Sequence, residues 1–485
     1  MKTIYLFHSL ILLTCTLLIN NLSAQQRTFE KTFGGSSYDF GHSIACTDDG
    51  GYVVTGLTGS YGDTLGDTYV LKLDSLGNQQ WNKITGGDHL EGGNAIVPIP
   101  TGGYYIMNHT ESFGAGDCDG WVYRSDKKGN IMWQTTYGGV YDEVARDGIL
   151  NSDGNLIVAG LSEMAEKAGD GYIAKYNSDN GDPMWIHTYG GIGREQVQRI
   201  LQTTDGGYIA AGESDVDANG IEDIWVFKTD VEGNLQWSKK IGGPGYEEGY
   251  GLCIAPDGGY IVTGFTTSYG AGDEDAFLFK LDQSGNLLWS KNYGGQLKER
   301  AKSVTNTPDG GFMITGFTES FGDTKGDLMI IKTDQYGNQL WMKTYGGTET
   351  DEGSWIVKCP KGGYAVCGYT KSKGDGKEDI YVLRINEEGN IATKTTEVNS
   401  TSFDLKVYPI PAKDYVIIKT GNIDIPKKSS LTIYDVLGNK VYEYSPSGIN
   451  DSKFIDLSKW LNGTYIYNFK CNNVLLNEGR FSVSH

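Results

Sequence analysis

Proline is scarce, at 11 of 485 residues, and so are histidine, at 6, and cysteine, at 7. The proline shortage excludes a Pro/Gly-rich disordered polymer. The histidines lie far apart, and His8 falls in the apolar start of the chain. The cysteines form no CxxC pair and no regular spacing, so neither zinc or dithiol redox chemistry nor a disulfide framework is indicated. Cys46, Cys118, Cys253, Cys359, Cys367 and Cys471 read as buried, unpaired thiols. Cations are also short: 41 Lys and Arg stand against 61 Asp and Glu, a net charge of −20. That balance excludes nucleic acid as a partner and anionic lipid as a docking surface. No convincing helical period occurs, which excludes a helical bundle. HExxH, GxSxG and P-loop motifs are missing as well.

Glycine is abundant instead, with 69 residues, about twice its usual share. Residues 1–24 read as a secretory signal. Lys2 precedes an apolar run from Ile4 to Ile19, and Leu22-Ser23-Ala24 leads to cleavage before Gln25. No later segment is long enough to span a bilayer, so the mature chain is expected outside the cytoplasm with no membrane span. Glycine pairs recur at Gly34-Gly35, Gly86-Gly87, Gly138-Gly139, Gly190-Gly191, Gly242-Gly243, Gly294-Gly295 and Gly346-Gly347, every 52 residues. Trp81, Trp133, Trp185, Trp237, Trp289 and Trp341 keep the same step. A fixed period near 50 marks a propeller or a solenoid. One copy, residues 247–293, holds four strand-like runs separated by Asp/Gly/Asn turns. Four antiparallel strands per copy make a propeller blade. The seventh copy has Thr393 where tryptophan is due and lacks its fourth strand. Phe29 to Gly35 aligns with Trp341 to Gly347 and would supply that strand, closing the circle. The expected fold is all-β. A seven-bladed β-propeller covers 25–391, a polar linker 392–402, and a second strand-rich domain 403–485.

That second domain holds 10 Lys and Arg against 8 Asp and Glu, so the acidity belongs to the repeats. Its motifs are Tyr408-Pro409-Ile410-Pro411-Ala412, Leu431 to Gly438, Leu461-Asn462-Gly463-Thr464-Tyr465-Ile466 and Phe481-Ser482-Val483. In this order they resemble the type A C-terminal sorting domain of the type IX secretion system. Ile410 departs from the asparagine usual in that signature. The resemblance implies a small β-sandwich, recognition by the export machinery of Bacteroidota, and passage to the cell surface or the medium. The propeller repeats resemble the Asp-Gly-Gly-Tyr repeats of secreted proteins in that phylum, a likeness that implies no activity.

Function is expected on the longer-loop face, around the central channel. An acidic column, Asp39, Glu91, Glu143, Glu195, Glu247, Glu299 and Asp351, opens the first strand of each repeat. It would either gather cations or maintain the fold, by accepting backbone N–H bonds or pairing with blade cations. Three residues on stand seven unlike polar side chains: His42, Asn94, Arg146, Gln198, Tyr250, Lys302 and Ser354. They are candidate ligand-binding residues, with Arg146, Tyr250 and Lys302 expected to dominate binding of an acidic or sugar ligand. The alternative is blade-to-blade packing, since strand alternation puts them on the face of the apolar column. In blade four, Asp215, Asp217, Asn219 and Asp223 have spacing that suits Ca²⁺ and resemble the Ca²⁺ loops of integrin-type propellers; a plain Asx-rich turn is the alternative. Tyr61, Phe113, Tyr269 and Phe321 would stack on sugars if exposed and are core residues if tucked under the loop. Arg146, Asp147, His187, Arg194 and Arg199 break the repeat, as catalytic residues would; drift at tolerant positions is the alternative. The expectation is an exported, non-catalytic propeller binding a glycan, a surface protein or an extracellular polymer. A carbohydrate-active hydrolase or lyase is the alternative.

Overall fold

Runs such as Tyr52–Thr58, with almost no charge, cannot face water on either side; they form strands buried throughout. Outer strands such as Leu287–Tyr293 instead keep much of their length in solvent. The computed structural model describes residues 28–391 except 64, 165–166, 216–219 and 324. Beyond these it describes 405–408, 411–420, 429–436, 439–445, 452–471 and 474–485. The signal and linker expected at 1–24 and 392–402 lie outside the described residues. Among those described there is no helix.

Blade one consists of Asp39–Cys46, Tyr52–Thr58, Asp67–Leu73 and Gln79–Thr85, antiparallel in that order. Five further blades repeat this pattern, starting at Glu91, Glu143, Glu195, Glu247 and Glu299. Blade seven has three strands in sequence, Asp351–Lys358, Tyr364–Thr370 and Asp379–Ile385. Its fourth is Phe29–Phe33, with Phe29 opposite Arg384 and Phe33 opposite Ile380. The first strands neighbour one another around the full ring, blade seven returning to blade one. The fold is a closed seven-bladed β-propeller.

The turn before each outer strand explains the tryptophan column. Asp74 Oδ1 accepts the N–H groups of Leu76 and Asn78, each at 2.8 Å, and Gly77 takes φ +75°. A Cβ on Gly77 would lie 2.6 Å from the Phe29 ring. Trp81 covers Gly129 in the same way, Trp133 covers Gly181, and the series runs on to Trp341 over Gly389. Each outer-strand aromatic thus roofs the turn glycine of the next blade. Phe29 fills that role at the blade seven–blade one seam. Apolar cores lie between adjacent blades, as where Ile157 and Ile173 meet Ala210 and Phe227.

The chain divides into two compact units after Ala392. In the second, Leu405–Tyr408, Tyr415–Thr420 and Ser452–Asp456 form one sheet. Lys440–Tyr444, Ser429–Tyr434, Gly463–Cys471 and Val474–Val483 form another. A core including Val416, Ile418, Leu431, Ile433, Ile455, Phe469 and Phe481 draws on both sheets, which makes a small β-sandwich.

Candidate functional site

The acidic column is buried at every blade. One carboxylate oxygen accepts the N–H of the second glycine of the preceding pair: Gly87 to Glu91 Oε2 at 2.7 Å, Gly243 to Glu247 Oε2 at 2.7 Å, Gly347 to Asp351 Oδ2 at 2.9 Å. In six blades the other oxygen accepts a second-strand hydroxyl, as from Thr110 to Glu91 Oε1 at 2.8 Å. The first glycine is wedged between carboxylates of two blades. A Cβ on Gly86 would strike both Asp67 and Glu91. Blade cations pair elsewhere, Lys72 with Asp49 at 2.8 Å and Lys332 with Asp309 at 2.7 Å. Of the readings open for this column, these bonds express fold maintenance through backbone N–H groups.

The variable column three residues on is a ring of β-bulges. Gly41 pairs with Gly56 and Ser43 with Thr55, leaving His42 as the extra residue. The same break singles out Asn94, Arg146, Gln198, Tyr250, Lys302 and Ser354. The expected strand alternation is therefore wrong at these positions: the bulge re-aims them. All seven are half-buried, on first strands toward the longer-loop end, where they ring the channel mouth. Two of them knit blades together. His42 Nδ1 donates to the Gly93 carbonyl at 2.9 Å, and Asn94 Nδ2 to the Ala145 carbonyl at 2.9 Å. Others meet side chains. Lys302 Nζ lies 3.7 Å from the Tyr250 ring centroid, and the Tyr250 hydroxyl donates to Glu248. Burial lowers the pKa of Lys302 and of Arg146. Arg146 donates to Gln196 Oε1 at 3.4 Å, while its buried Nε meets no partner among the described residues.

Beneath the mouth the channel is stoppered. Arg199, in blade four, sets its guanidinium 3.0 Å from the centroid of the Trp355 ring, in blade seven. Its Nε donates to the Tyr250 carbonyl in blade five at 3.1 Å, and Nη2 to Ser303 Oγ in blade six at 3.4 Å. Blades this far apart meet only through the centre. Asp147, in blade three, is buried and accepts the Ile200 N–H at 3.0 Å. Burial pushes its carboxyl up, opposed by the Arg199 charge, and draws Arg199 itself down to about 10.

Glu213 belongs to the mouth and was not among the expected site residues. Its second-strand column otherwise reads Leu57, His109, Leu161, Phe265, Phe317 and Tyr369. A lone acid in a mostly apolar column is the sequence signal for it. Glu213 is buried, accepts from Gln196 and from Gln198 Nε2 at 3.3 Å, and lies 3.9 Å from Arg194. Burial and the neighbouring Glu248 push its carboxyl up to about 8. Burial, with the Arg146 charge, lowers His109 to about 4. This raised carboxyl and lowered imidazole stand beside Arg146, Arg194 and Lys302, with Glu222 3.6 Å from Arg194 and Glu248 accepting from Tyr250.

The remaining candidates scatter. Arg146 and Arg194 both reach Gln196 Oε1, each at 3.4 Å, whereas Asp147 and Arg199 belong to the stopper. His187 packs on Trp185, ring centroids 5.2 Å apart, and lines a rim groove of about 460 Å³ with Trp225 and Lys240. In the blade-four loop, Asp215 Oδ2 accepts the Gly220 N–H at 2.8 Å, and Asp223 Oδ2 lies 3.4 Å from Lys240 Nζ. Asp217 and Asn219 lie outside the described residues. Among those described, no group of three or more His, Cys, Asp or Glu side chains could hold a metal ion. Tyr61, Phe113, Tyr269 and Phe321 are all exposed, and the Tyr61 and Tyr269 hydroxyls donate to the Gly34 and Gly242 carbonyls at 2.6 and 3.0 Å. Phe113 leans on Trp121 at 5.2 Å.

Residues 406–478 match the model of the secretion system C-terminal sorting domain. That match makes the tail a type IX sorting domain. The sorting domain means that the chain is secreted, to the cell surface or beyond the cell, and that it engages the type IX machinery. No helix among the described residues is long and apolar enough to cross a membrane. No curated protein matches the chain by sequence. Among solved structures, the chain is similar to PorZ, a surface component of the type IX secretion system of Porphyromonas gingivalis. That likeness has 12% identity and a TM-score of 0.43; it covers 93% of this chain and spans 60% of that one. It is also similar to the WD40 domain of Neurospora crassa Pan2, at 12% identity and TM-score 0.47, over 74% of this chain and 96% of that one. A Penicillium chrysogenum α-L-arabinanase complexed with arabinobiose matches at 15% identity and TM-score 0.39, over 60% and 92% respectively. These likenesses are distant; the sheet order and ring closure carry the fold.

Proposed function

We propose that the propeller is a non-catalytic binding module, delivered outside the cell by its sorting domain, that takes a carboxylate-bearing extracellular glycan at the channel mouth. The observation that supports this is the bulge ring. Seven unlike side chains able to hydrogen-bond, each half-buried, stand one per blade on the innermost strands, with Arg199 packed on Trp355 across the centre. Unlike groups around a symmetric scaffold suit an asymmetric, hydroxyl-rich ligand. Arg146 and Lys302 are partly stripped of water and so bind an anion more strongly than surface cations do. A glycan array on the purified protein, followed by calorimetry with the best ligand, tests the reading. Arg146→Ala, Tyr250→Ala and Lys302→Ala should each weaken binding by about 1–3 kcal/mol while leaving the Tm nearly unchanged. Lost stability with unaltered affinity would show the ring to be structural.

A second reading, a carbohydrate-active hydrolase or lyase, is favoured by one observation. Glu213, raised to about 8 beside Glu248, would stay protonated at neutral pH as a general acid must. Release of reducing ends or unsaturated products from an acidic polysaccharide, abolished by Glu213→Gln, would establish it.

A further inference from the structure

The seam between the first and last blades offers chemistry beyond packing. Cys46 ends the first strand of blade one, and Cys359 directly follows the first strand of blade seven. Separated by 313 positions in sequence, their Sγ atoms lie 3.0 Å apart. A disulfide needs about 2.05 Å, which modest rotations about the two Cα–Cβ bonds can supply. Both are free thiols, as expected, but they stand side by side. Cys118 and Cys253 point instead toward oxygen, the Glu143 carbonyl at 3.8 Å and Asn306 Oδ1 at 3.7 Å. The pair has a polarised setting. Buried Arg384 donates from Nε to the Tyr52 hydroxyl at 2.8 Å, beside both sulfurs. The Cys46 thiol donates to Cys359 Sγ, which, with the Arg384 charge, holds Cys359 below the ordinary thiol range.

We propose that Cys46 and Cys359 are an oxidation site, forming a disulfide that staples blade one to blade seven once the chain has left the reducing cytoplasm. The ring is otherwise closed there without a covalent bond, by the five-residue strand Phe29–Phe33. The co-reactant is an external disulfide, carried by a small thiol compound or a protein dithiol oxidase. Cys359, the thiolate favoured by the Cys46 hydrogen bond and the Arg384 charge, attacks one sulfur of that disulfide. The external S–S bond breaks and the first thiolate leaves. Cys46 then gives up its proton, attacks Cys359 Sγ in the mixed disulfide and expels the second. Two electrons pass from the cysteine pair to the external disulfide, and the two thiol protons end on the two departing thiolates.

The test uses the secreted full-length protein, incubated with oxidised glutathione, alkylated under denaturant and digested without reductant. Mass spectrometry should find one cross-linked species joining Cys46 to Cys359, lost on reduction. Reduction should also lower the Tm by about 5 °C or more, because the bond closes a very long loop. Cys46→Ser and Cys359→Ser should abolish this reductant sensitivity, and Cys253→Ala should keep it. Recovery of Cys46 and Cys359 as separate alkylated peptides, or joined to other cysteines, would overturn the site. A cross-link whose reduction leaves the Tm unchanged would overturn its role as a staple. Mapping on the wild type decides the pairing even if a variant fails to fold.

Discussion

Phe29→Ala tests the closure of the ring at its weakest point. The strand Phe29–Phe33 carries only five residues, and Phe29 is its one fully buried side chain, at 8% exposure. The ring packs edge-on against Tyr52 of blade one, centroids 5.6 Å apart, and covers the Gly77 turn of the same blade. Truncation removes the transfer energy of the ring and leaves a gap that the positive-φ turn cannot collapse to fill, a cost of about 3–5 kcal/mol. For a domain of this size the Tm should fall by about 5–10 °C. The strand is also the element most easily detached by itself, because no chain connection joins it to blade seven, only its pairing and the Glu30 contacts with Lys373 and Tyr381. Trypsin should then cut at Lys31 in the variant at temperatures where the wild type resists. Thermal unfolding and limited proteolysis can be run side by side. Trp133→Ala, the equivalent change within a blade continuous in sequence, should lower the Tm without exposing Lys31. An unchanged Tm together with an intact N-terminal strand would refute the closure argument.

Glu213 has a carboxyl near 8 in the fold against 4.5 as a free group, so the folded chain keeps a proton that the unfolded chain releases. The stability this proton brings is full below about pH 4.5 and lost as the pH rises through about 8; Glu213→Gln should flatten that decline in a Tm series, and parallel declines would count against it. Arg199→Ala should cost about 3–5 kcal/mol in urea unfolding, since it leaves buried Asp147 without its compensating charge, and Asp147→Asn in the same chain should recover part of the loss. Simple additivity of the two changes would show that they do not interact. Removing residues 403–485 should leave a folded propeller retained in the periplasm; its normal appearance outside the cell would contradict the role of the sorting domain.

Much of the architecture can be read from the chain because each blade solves the same local problem with the same residues. The Gly-Gly step, the turn aspartates, the tryptophan column and its replacement by Phe29 are short-range requirements repeated every 52 residues. The tail motifs likewise lie in order along the chain. What escaped was geometry without a local signature. A bulge looks like any other strand residue, so the re-aiming of His42 through Ser354 became visible only in the pairing register. The acidic column repeats perfectly, but its acceptors and donors come from different strands, so its fastening role needed coordinates. Glu213 could have been noticed in its column; its raised carboxyl could not, because Glu248 comes from the next blade. Arg199 over Trp355 and Cys46 beside Cys359 join positions 156 and 313 residues apart. A closed ring brings distant blades face to face across its centre and its seam. Sequence spacing determines the blades, while closure alone decides which of their side chains meet.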